Sequence, residues 1–411
     1  MAHGRAAAFR HRDFILFQGA RVLSVLGIQM QGVAIGWQIY TITGRPLDLA
    51  WIGLAQFIPA VCLSLVTGQV ADHFERRRIL MVCHAATGAL SGLLWAVASA
   101  SAPRIGLIYA ILVGIGVARA FGGPASQSIV PTLVPVEHFG NAVAWGSSLW
   151  QASTVVGPML GGVVYAASRG PAAVYAVSAC CSAAAVALVV LMRRASRTQS
   201  RTPTSLHSLF DGIRYVWHNQ IVLGSISLDL FAVLLGGATA LMPAYAQDIL
   251  HLGPWALGVL RSAPAVGAAA VAIALALVPI EKHAGRKMFA SVALFGVATI
   301  AFGLSRSFAV SVLSLAVAGA ADMVSIFVRS TVVQLAAPDA LRGRVSAVNF
   351  VFIGASNELG EFESGITAQW FGVVPAIVMG GVGTLIVVAI WVWRFPALRR
   401  VDRLAPESIA T

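Results

Sequence analysis

Long apolar segments constrain this chain more than any other feature. From residue 14 to residue 395 it runs through about twelve of them, each near twenty residues long and separated by short connections. A helix of about 20 apolar residues spans the hydrocarbon core of a bilayer. Only 11% of the residues are charged, whereas soluble domains carry about 25%. The sequence therefore predicts an all-α integral membrane protein.

The predicted spans form two sets of six. Their approximate bounds are 14–40, 50–71, 79–100, 105–128, 141–167, 171–192, 221–246, 255–279, 288–304, 308–335, 345–369 and 374–395. We therefore expect an N-terminal six-helix bundle over residues 1–192. A C-terminal bundle is expected over residues 221–411, which include a short cytoplasmic tail. Residues 193–220, rich in Arg, Ser and Thr, are predicted to form a cytoplasmic linker at the membrane surface.

The two halves of the sequence repeat each other. One constant offset pairs Pro135 with Pro338, Gly140 with Gly343, Ala144 with Ala347, Ser153 with Ser356, and Gly157 with Gly360. Parallel repeats in transporters are related by an axis along the membrane normal. We therefore predict twelve transmembrane helices in two bundles, related by a pseudo-two-fold axis along that normal.

Basic residues are distributed unequally between alternate connections. If the N-terminus is cytoplasmic, most Lys and Arg residues fall on the cytoplasmic side. The other side then carries only Arg45, Arg104, Arg169 and Arg306. The positive-inside rule favours this orientation, with both termini in the cytoplasm. Anionic lipid headgroups on that leaflet explain the net charge of +12, so no nucleic-acid partner is expected.

Three carboxylates interrupt one predicted span without any turn residue around them. They are Glu358, Glu361 and Glu363. A charge at the bilayer centre costs about 2.5–3.5 kcal/mol on insertion scales. Glu358 and Glu361 share one helix face, and Glu363 points away from it. We interpret Glu358 and Glu361 as candidates for proton coupling, whereas pairing with an interfacial arginine is the alternative role for Glu363.

Other charged residues also lie within predicted spans. The cations are Arg21, Arg119, Arg261 and Arg329, and the further acids are Asp229 and Asp322. Because unpaired charges in a membrane are costly, the near balance of signs favours ion pairs inside the bundle. Asp229 is predicted either to carry a proton or to pair with Arg261. Asp322 and Arg329 lie two turns apart on one face, which suits a structural ion pair or a transport role.

Some of these residues have a simpler interpretation. Arg21 and Arg119 either face the interior or extend their charged groups to the helix ends. Gln29 and Trp37 belong to a polar and aromatic face of the first span, which suits an amphipathic cargo. Hydrogen bonding between helices is the alternative for glutamines in a membrane span.

Three motifs carry a family resemblance. The first lies between the second and third spans and comprises Gly68, Asp72, Arg76 and Arg77, with Glu75 where glycine is usual. The second is Arg119-x-x-x-Gly123 in the fourth span. The third, in the fifth span, comprises Ser153, Gly157, Pro158, Gly161 and Gly162. With these motifs the chain resembles the major facilitator superfamily.

Further stretches resemble a subgroup of that superfamily, which contains siderophore exporters and secretion transporters. They are residues 228–231, 258–267 and 357–361. The resemblance implies a central cavity lined by spans one, four, seven and ten, and proton-driven export. It also implies that the motif containing Gly68 and Asp72 is a conformational latch. The fifth-span motif, by the same resemblance, is typical of antiporters and packs closely against its neighbours.

We therefore expect a secondary transporter and not an enzyme. It would export a small amphipathic molecule, such as a siderophore or drug, in exchange for protons, because a desolvated carboxyl group readily exchanges a proton. Uptake of a nutrient or lipid by symport or facilitated diffusion is the alternative on the same fold. A membrane scaffold or membrane enzyme is a weaker alternative. We expect a monomer in the cell membrane.

Cofactor and metal sites are not expected. The sequence has no Gly-x-x-x-x-Gly-Lys-Ser/Thr loop for ATP. Its cysteines all lie in apolar segments and are interpreted as small core residues: Cys62, Cys83, Cys180 and Cys181.

Overall fold

The chain is almost entirely helical. The computed structural model describes residues 7–100, 104–193, 213–278, 280, 282–338 and 341–402, without the side chains of 64–66, 68, 69, 71, 72, 342, 346, 347, 350 and 351. The helices of the first half are α1 (Arg12–Thr43), α2 (Pro46–His73), α3 (Arg76–Ser99), α4 (Ile105–Ile129), α5 (Val136–Ser168) and α6 (Ala172–Leu191). Those of the second half are α7 (Gln220–Leu235), α8 (Pro254–Leu277), α9 (Ala284–Leu304), α10 (Phe308–Ala336), α11 (Arg342–Phe371), α12 (Val373–Arg394) and α13 (Pro396–Arg400).

Helix length and composition fit a membrane. Within the described ranges, 10 helical segments are long and apolar enough to cross one. α5 and α11, of 33 and 30 residues, are also long but contain more polar residues. Eleven of the predicted spans therefore each coincide with one helix, whereas the seventh is divided after α7, and the predicted all-α membrane fold is confirmed.

The chain divides into two compact units. Unit 1 comprises residues 1–43, 51–203 and 252–262, and therefore includes the first residues of α8. Unit 2 comprises residues 44–50, 204–251 and 263–411, and therefore includes the first residues of α2. The predicted bundle boundaries at 192 and 221 stay a prediction. Most of the predicted linker, residues 194–212, lies outside the described residues.

Local sequence sets several helix ends. Asn219 caps α7, because its Oδ1 atom accepts hydrogen bonds from the backbone N–H groups of Ile221 and Val222 at 3.1 and 3.0 Å. Gly372 separates α11 from α12 and has a φ of 92°. Glycine adopts this backbone conformation without a steric penalty.

The seventh predicted span is broken. α7 ends at Leu235, Gly236 and Gly237 follow, and short helical turns continue from Ala238 to Ile249. The sequence analysis predicted one continuous helix over 221–246, and that prediction is wrong at the glycine pair. Two adjacent glycines weaken a helix, and here they also give α11 close access to the α7 backbone.

Equivalent glycines of the sequence repeat pack against equivalent helices. In unit 1, a Cβ atom at Gly157 of α5 would lie 2.5 Å from Gln29 Cβ of α1. In unit 2, a Cβ atom at Gly360 of α11 would lie 2.8 Å from the carbonyl oxygens of Val233 and Leu234 in α7. The fifth helix thus packs on the first, and the eleventh on the seventh. This agreement is consistent with the predicted repeat.

A buried polar network joins three helices of unit 1. Gln31 Oε1 in α1 accepts hydrogen bonds from Ser91 in α3 at 2.7 Å and from Ser178 in α6 at 2.9 Å. Nearby, Tyr175 donates to Gln38 Oε1 at 2.6 Å. For these two glutamines the structure favours interhelical hydrogen bonding over contact with cargo.

Removing one hydroxyl from this network should destabilise unit 1. We expect Ser91→Ala to lower the free energy of unfolding by about 1 kcal/mol, the usual size of an interhelical hydrogen bond in a membrane protein. Unfolding in mixed detergent and SDS micelles would measure it. Ser99→Ala is the matched control on the same helix, because Ser99 is exposed and donates to Trp95 O within α3. Equal effects of the two variants would contradict the prediction.

Candidate functional site

An ion pair is buried inside unit 2. It is formed by Asp229 of α7 and Arg329 of α10, which are 4% and 3% exposed. Arg329 Nη1 donates a hydrogen bond to Asp229 Oδ2. Each charge compensates the other, so removal of Arg329 would leave the Asp229 carboxylate buried without its counter-charge.

Two more residues of α10 belong to the same cluster. Asp322 lies close enough to the ion pair for the charges of Asp229 and Arg329 to act on its carboxyl group. The hydroxyl of Ser325 is buried beside the Asp229 carboxylate. We call Asp229, Asp322, Ser325 and Arg329 the acid cluster. The spacing of its α10 members, three and then four residues, keeps them on one helix face.

The acid cluster has an unequal number of charges. It holds two carboxyl groups but one guanidinium, so it carries a net negative charge when both carboxyl groups are ionised. Uptake of one proton makes the cluster neutral. Because a net charge is costly away from water, this proton changes the free energy of the cluster strongly. The arrangement is suited to coupling proton binding to a conformational change.

Arg261 lies elsewhere than the sequence suggested. The sequence offers it as a partner of Asp229 if Asp229 does not carry a proton, but the Asp229 carboxylate pairs with Arg329. Arg261 is part of the α8 segment that belongs to unit 1. Its Nη1 atom lies 3.2 Å from the position that a Cβ atom at Gly32 of α1 would take. The choice between the two arginines depends on how α7 is rotated, which sequence spacing does not fix.

α11 runs without interruption through its three carboxylates, as predicted. Glu358 and Glu361 are half-buried and flank Gly360, which packs against the end of α7. Glu363 Oε1 accepts a hydrogen bond from Thr367 at 2.7 Å. The pairing of Glu363 with an interfacial arginine stays a prediction.

The arginines of α1 and α4 differ in their surroundings. Arg119 of α4 is exposed, and its Nη1 atom donates to Gln56 Oε1 of α2 at 3.0 Å. Arg21 of α1 is half-buried, and its Nη1 atom lies 3.3 Å from the Cβ position of Gly146 in α5. Arg119 is therefore tied to a neighbouring helix, whereas Arg21 lies at the contact between α1 and α5.

The polar and aromatic residues of α1 also meet α5. Gln29 packs against Gly157. The Trp37 ring contacts the edge of Tyr165, with ring centroids 6.4 Å apart. Gln29 and Trp37 belong to the polar and aromatic face that is predicted to contact an amphipathic cargo, and this role stays a prediction.

The fifth-helix motif supplies small surfaces for two neighbours within unit 1. A Cβ atom at Gly161 would lie 2.7 Å from Met30 of α1, and one at Gly162 would lie 2.6 Å from the Pro254 carbonyl of α8. The carbonyl of Pro158 approaches Gly258 of α8. Ser153 is buried and donates to Leu149 O within α5. The motif thus brings the backbones of three helices close together.

The motif between α2 and α3 contacts helix ends. Gly68 and Asp72 lie in the last turns of α2, and beyond their backbone they are outside the described part of the structure. Arg76 Nη1 donates to Ser128 O near the end of α4 at 2.8 Å. Carbonyl groups in the last turn of a helix lack intrahelical partners and carry partial negative charge, which favours a cation there.

Arg77 likewise donates hydrogen bonds to carbonyl groups at the end of α6. Its replacement should therefore destabilise unit 1. Its Nε and Nη2 atoms donate to Val189 O and Val190 O at 2.9 and 2.6 Å. We expect Arg77→Ala to lower the free energy of unfolding by about 1.5–3 kcal/mol, the range for hydrogen bonds to charged groups. Arg78→Ala is the control, because Arg78 is largely exposed and pairs with Glu75, one turn away at the start of the same helix. Thermal unfolding would compare them, and a similar loss in both variants would contradict this account.

Comparison with known proteins identifies the family of this chain. The family model described as "Transmembrane secretion effector", within the major facilitator superfamily, matches residues 3–410. The chain belongs to that family. This membership makes it a multi-pass membrane transporter and not an enzyme.

Relatives of this transporter export small molecules according to their names. The chain is 26% identical over 401 residues to the multidrug efflux pump Tap of Mycolicibacterium fortuitum, with 90% of this chain and 92% of Tap covered. It is 25% identical over 400 residues to the enterobactin exporter EntS of Escherichia coli O1:K1, with 95% and 94% covered. Among solved structures, a bacterial homologue of the human lysosomal transporter Spinster superposes with a TM-score of 0.70 at 15% identity, with 97% of each chain covered. That likeness shows the fold alone.

The sequence of this transporter did not lead us to predict Ser325 as a member of the acid cluster, nor the pairing of Asp229 with Arg329. Ser325 lies three residues after Asp322 and four before Arg329, so helical periodicity alone could have placed it on their face. The pairing of Asp229 with Arg329 joins α7 to α10, and no sequence signal indicated that contact.

Proposed function

We propose that this transporter exports a small amphipathic molecule in exchange for protons, acting as a monomer in the cell membrane. The acid cluster is the observation that carries the proposal. Two carboxyl groups that share one buried guanidinium give a group that gains and loses one proton with a large change in free energy. Membership of a family that includes relatives named as an efflux pump and an exporter supports outward transport of the cargo.

Proton binding and cargo binding favour different conformations of the transporter, and this difference couples the two. Protonation neutralises the acid cluster and stabilises one conformation, whereas cargo stabilises the other, so proton and cargo drive the transporter in turn. One proton enters from the outside and leaves to the cytoplasm for each such cycle, while the cargo moves in the opposite direction. Asp229 remains paired with Arg329, which leaves Asp322 as the carboxyl group that exchanges the proton.

Glu358 and Glu361 are further candidates for proton coupling. Their position beside Gly360, at the break of α7, puts them where a movement of that break would change their surroundings. Movement of a helix segment next to a carboxylate is a direct way to alter its access to water.

The same proposal includes an orientation. With both termini in the cytoplasm, the basic connections face the anionic headgroups of the cytoplasmic leaflet. Arg76 and Arg77, which bind the ends of α4 and α6, then lie on the cytoplasmic side. A latch there would be released when these helix ends separate from the α2–α3 connection.

The decisive experiment is transport by proteoliposomes under an imposed pH gradient. A panel of acidic, neutral and basic amphipathic probes of similar size would be supplied, and a trapped pH dye would report proton movement. We expect proton and probe fluxes in opposite directions, both abolished when the gradient is collapsed by an ionophore. Fluxes in the same direction would establish symport and reject export, and probe movement independent of the gradient would reject proton coupling.

A further inference from the structure

The membrane-embedded charges of unit 1 are all positive. Its helices carry Arg21, Arg119 and Arg261 away from their ends, whereas its four acids lie at helix ends: Asp13, Asp72, Glu75 and Glu137. Arginine in a low-dielectric setting is stabilised by an anion. Arg119 has Gln56 as a hydrogen-bond partner, and Arg261 also makes an interaction. For Arg21, no hydrogen bond or ion pair is found among the residues that the structure describes.

A second polar group converges on the same point as Arg21. The amide of Gln18, one helical turn earlier in α1, is 2% exposed. Gln18 Nε2 lies 2.8 Å, and Arg21 Nη1 3.3 Å, from the Cβ position of Gly146 in α5. Because Gly146 has no side chain, it leaves room for both donor groups against α5.

Gln18 is also the exception among the buried glutamines of α1. Gln31 and Gln38 satisfy their Oε1 atoms with hydroxyl donors of α3 and α6. Neither the Oε1 nor the Nε2 atom of Gln18 has a hydrogen-bond partner within the described part of the chain. A buried polar group without a partner costs free energy, and a ligand that forms hydrogen bonds with it removes that cost.

We propose that Arg21 and Gln18 bind an acidic group, a carboxylate or phenolate, of the transported molecule. This inference rests on the proposed function and specifies its cargo. A guanidinium binds a carboxylate through two parallel N–H···O bonds, and the Gln18 amide adds a third donor from the same helix face. The half-buried guanidinium meets the acid first, and the Gln18 amide reaches it when the contact between α1 and α5 loosens.

Binding of matched acid and amide probes tests the proposal. Purified transporter in phosphatidylcholine nanodiscs would be titrated with 2-naphthoate and with neutral 2-naphthamide by calorimetry. We expect the wild type to bind the acid about tenfold or more tightly than the amide, the effect of one charge-assisted contact. Arg21→Gln should remove this preference, Arg21→Lys should restore part of it, and Gln18→Leu should weaken acid binding while the folded fraction is unchanged.

Controls separate the site from general electrostatics and from lipid. Arg12→Gln removes the same charge from the exposed start of α1 and should leave the preference intact. In phosphatidylglycerol nanodiscs, a site for cargo keeps its preference for the acid. If anionic lipid abolishes that preference, Arg21 binds a lipid phosphate and the proposal fails. It also fails if the wild type binds acid and amide equally, or binds neither.

This measurement does not depend on proton transport. If acid binding requires Arg21 but probe flux does not depend on the pH gradient, proton coupling is rejected and the acid site is kept. If basic probes show proton-coupled flux but acid binding does not depend on Arg21, the acid site is rejected and proton coupling is kept.

Discussion

Replacing Asp322 by asparagine is expected to reduce gradient-driven transport by about 5–150-fold, the usual range of a coupling free energy of 1–3 kcal/mol. Asparagine has nearly the same shape as aspartate but carries no exchangeable acidic proton. The ion pair of Asp229 with Arg329 stays intact in this variant, so the fold should be preserved. Probe flux in proteoliposomes, with and without a pH gradient, measures the effect.

The other members of the acid cluster give a contrasting pattern. Arg329→Gln leaves the buried Asp229 carboxylate without its ion-pair partner, and we expect a loss of about 3–5 kcal/mol in stability. The double variant Asp229→Asn, Arg329→Gln removes both charges and should recover much of this stability without recovering transport. If Asp322→Asn retains full gradient-driven flux, Asp322 is not the exchanging group, and Glu358→Gln and Glu361→Gln become the next variants to measure.

Helix positions were predictable from the sequence because the membrane imposes them. Apolar runs of spanning length mark α1 to α12, and the carboxylates of α11 did not divide their run, because neither a proline nor a pair of adjacent glycines accompanies them. The break of α7 was not predicted. Gly236 and Gly237 sit in an apolar run that otherwise continues to Ala246, and glycine is common in membrane helices. The contact with Gly360 of α11 lies more than a hundred residues away in sequence.

Charged residues could be found but not paired. The cost of a charge in lipid identified Asp229, Asp322 and Arg329 as important, because a charge within a span needs an opposite charge or water beside it. Their partners depend on which helices are neighbours and on how each helix is rotated about its axis. For the same reason the polar face of α1 was only partly resolved, since Gln31 bonds to neighbouring helices while Gln18 does not.

The contact between α11 and the broken α7 makes Gly360 the most sensitive small residue near the acids. An added Cβ atom would lie 2.8 Å from the carbonyl oxygens of Val233 and Leu234 and 3.0 Å from Leu234 Cα. These atoms belong to the backbone, so they cannot rotate away from the added methyl group as the end of a flexible side chain can. A methyl group at this position must therefore push α11 away from α7, and Glu358 and Glu361 move with it.

We expect Gly360→Ala to lower the free energy of unfolding by about 1–3 kcal/mol, the cost of overpacking a tight contact, and to reduce gradient-driven transport. Gly354→Ala is the matched control on the same helix, because no described atom outside the backbone of α11 lies within 4 Å of the added methyl group. There the better helix propensity of alanine should raise stability by up to about 1 kcal/mol. Thermal unfolding and proteoliposome flux would compare the two variants. Opposite signs support a close contact that positions the acids, whereas stabilisation by both would mean that α7 and α11 do not meet at Gly360.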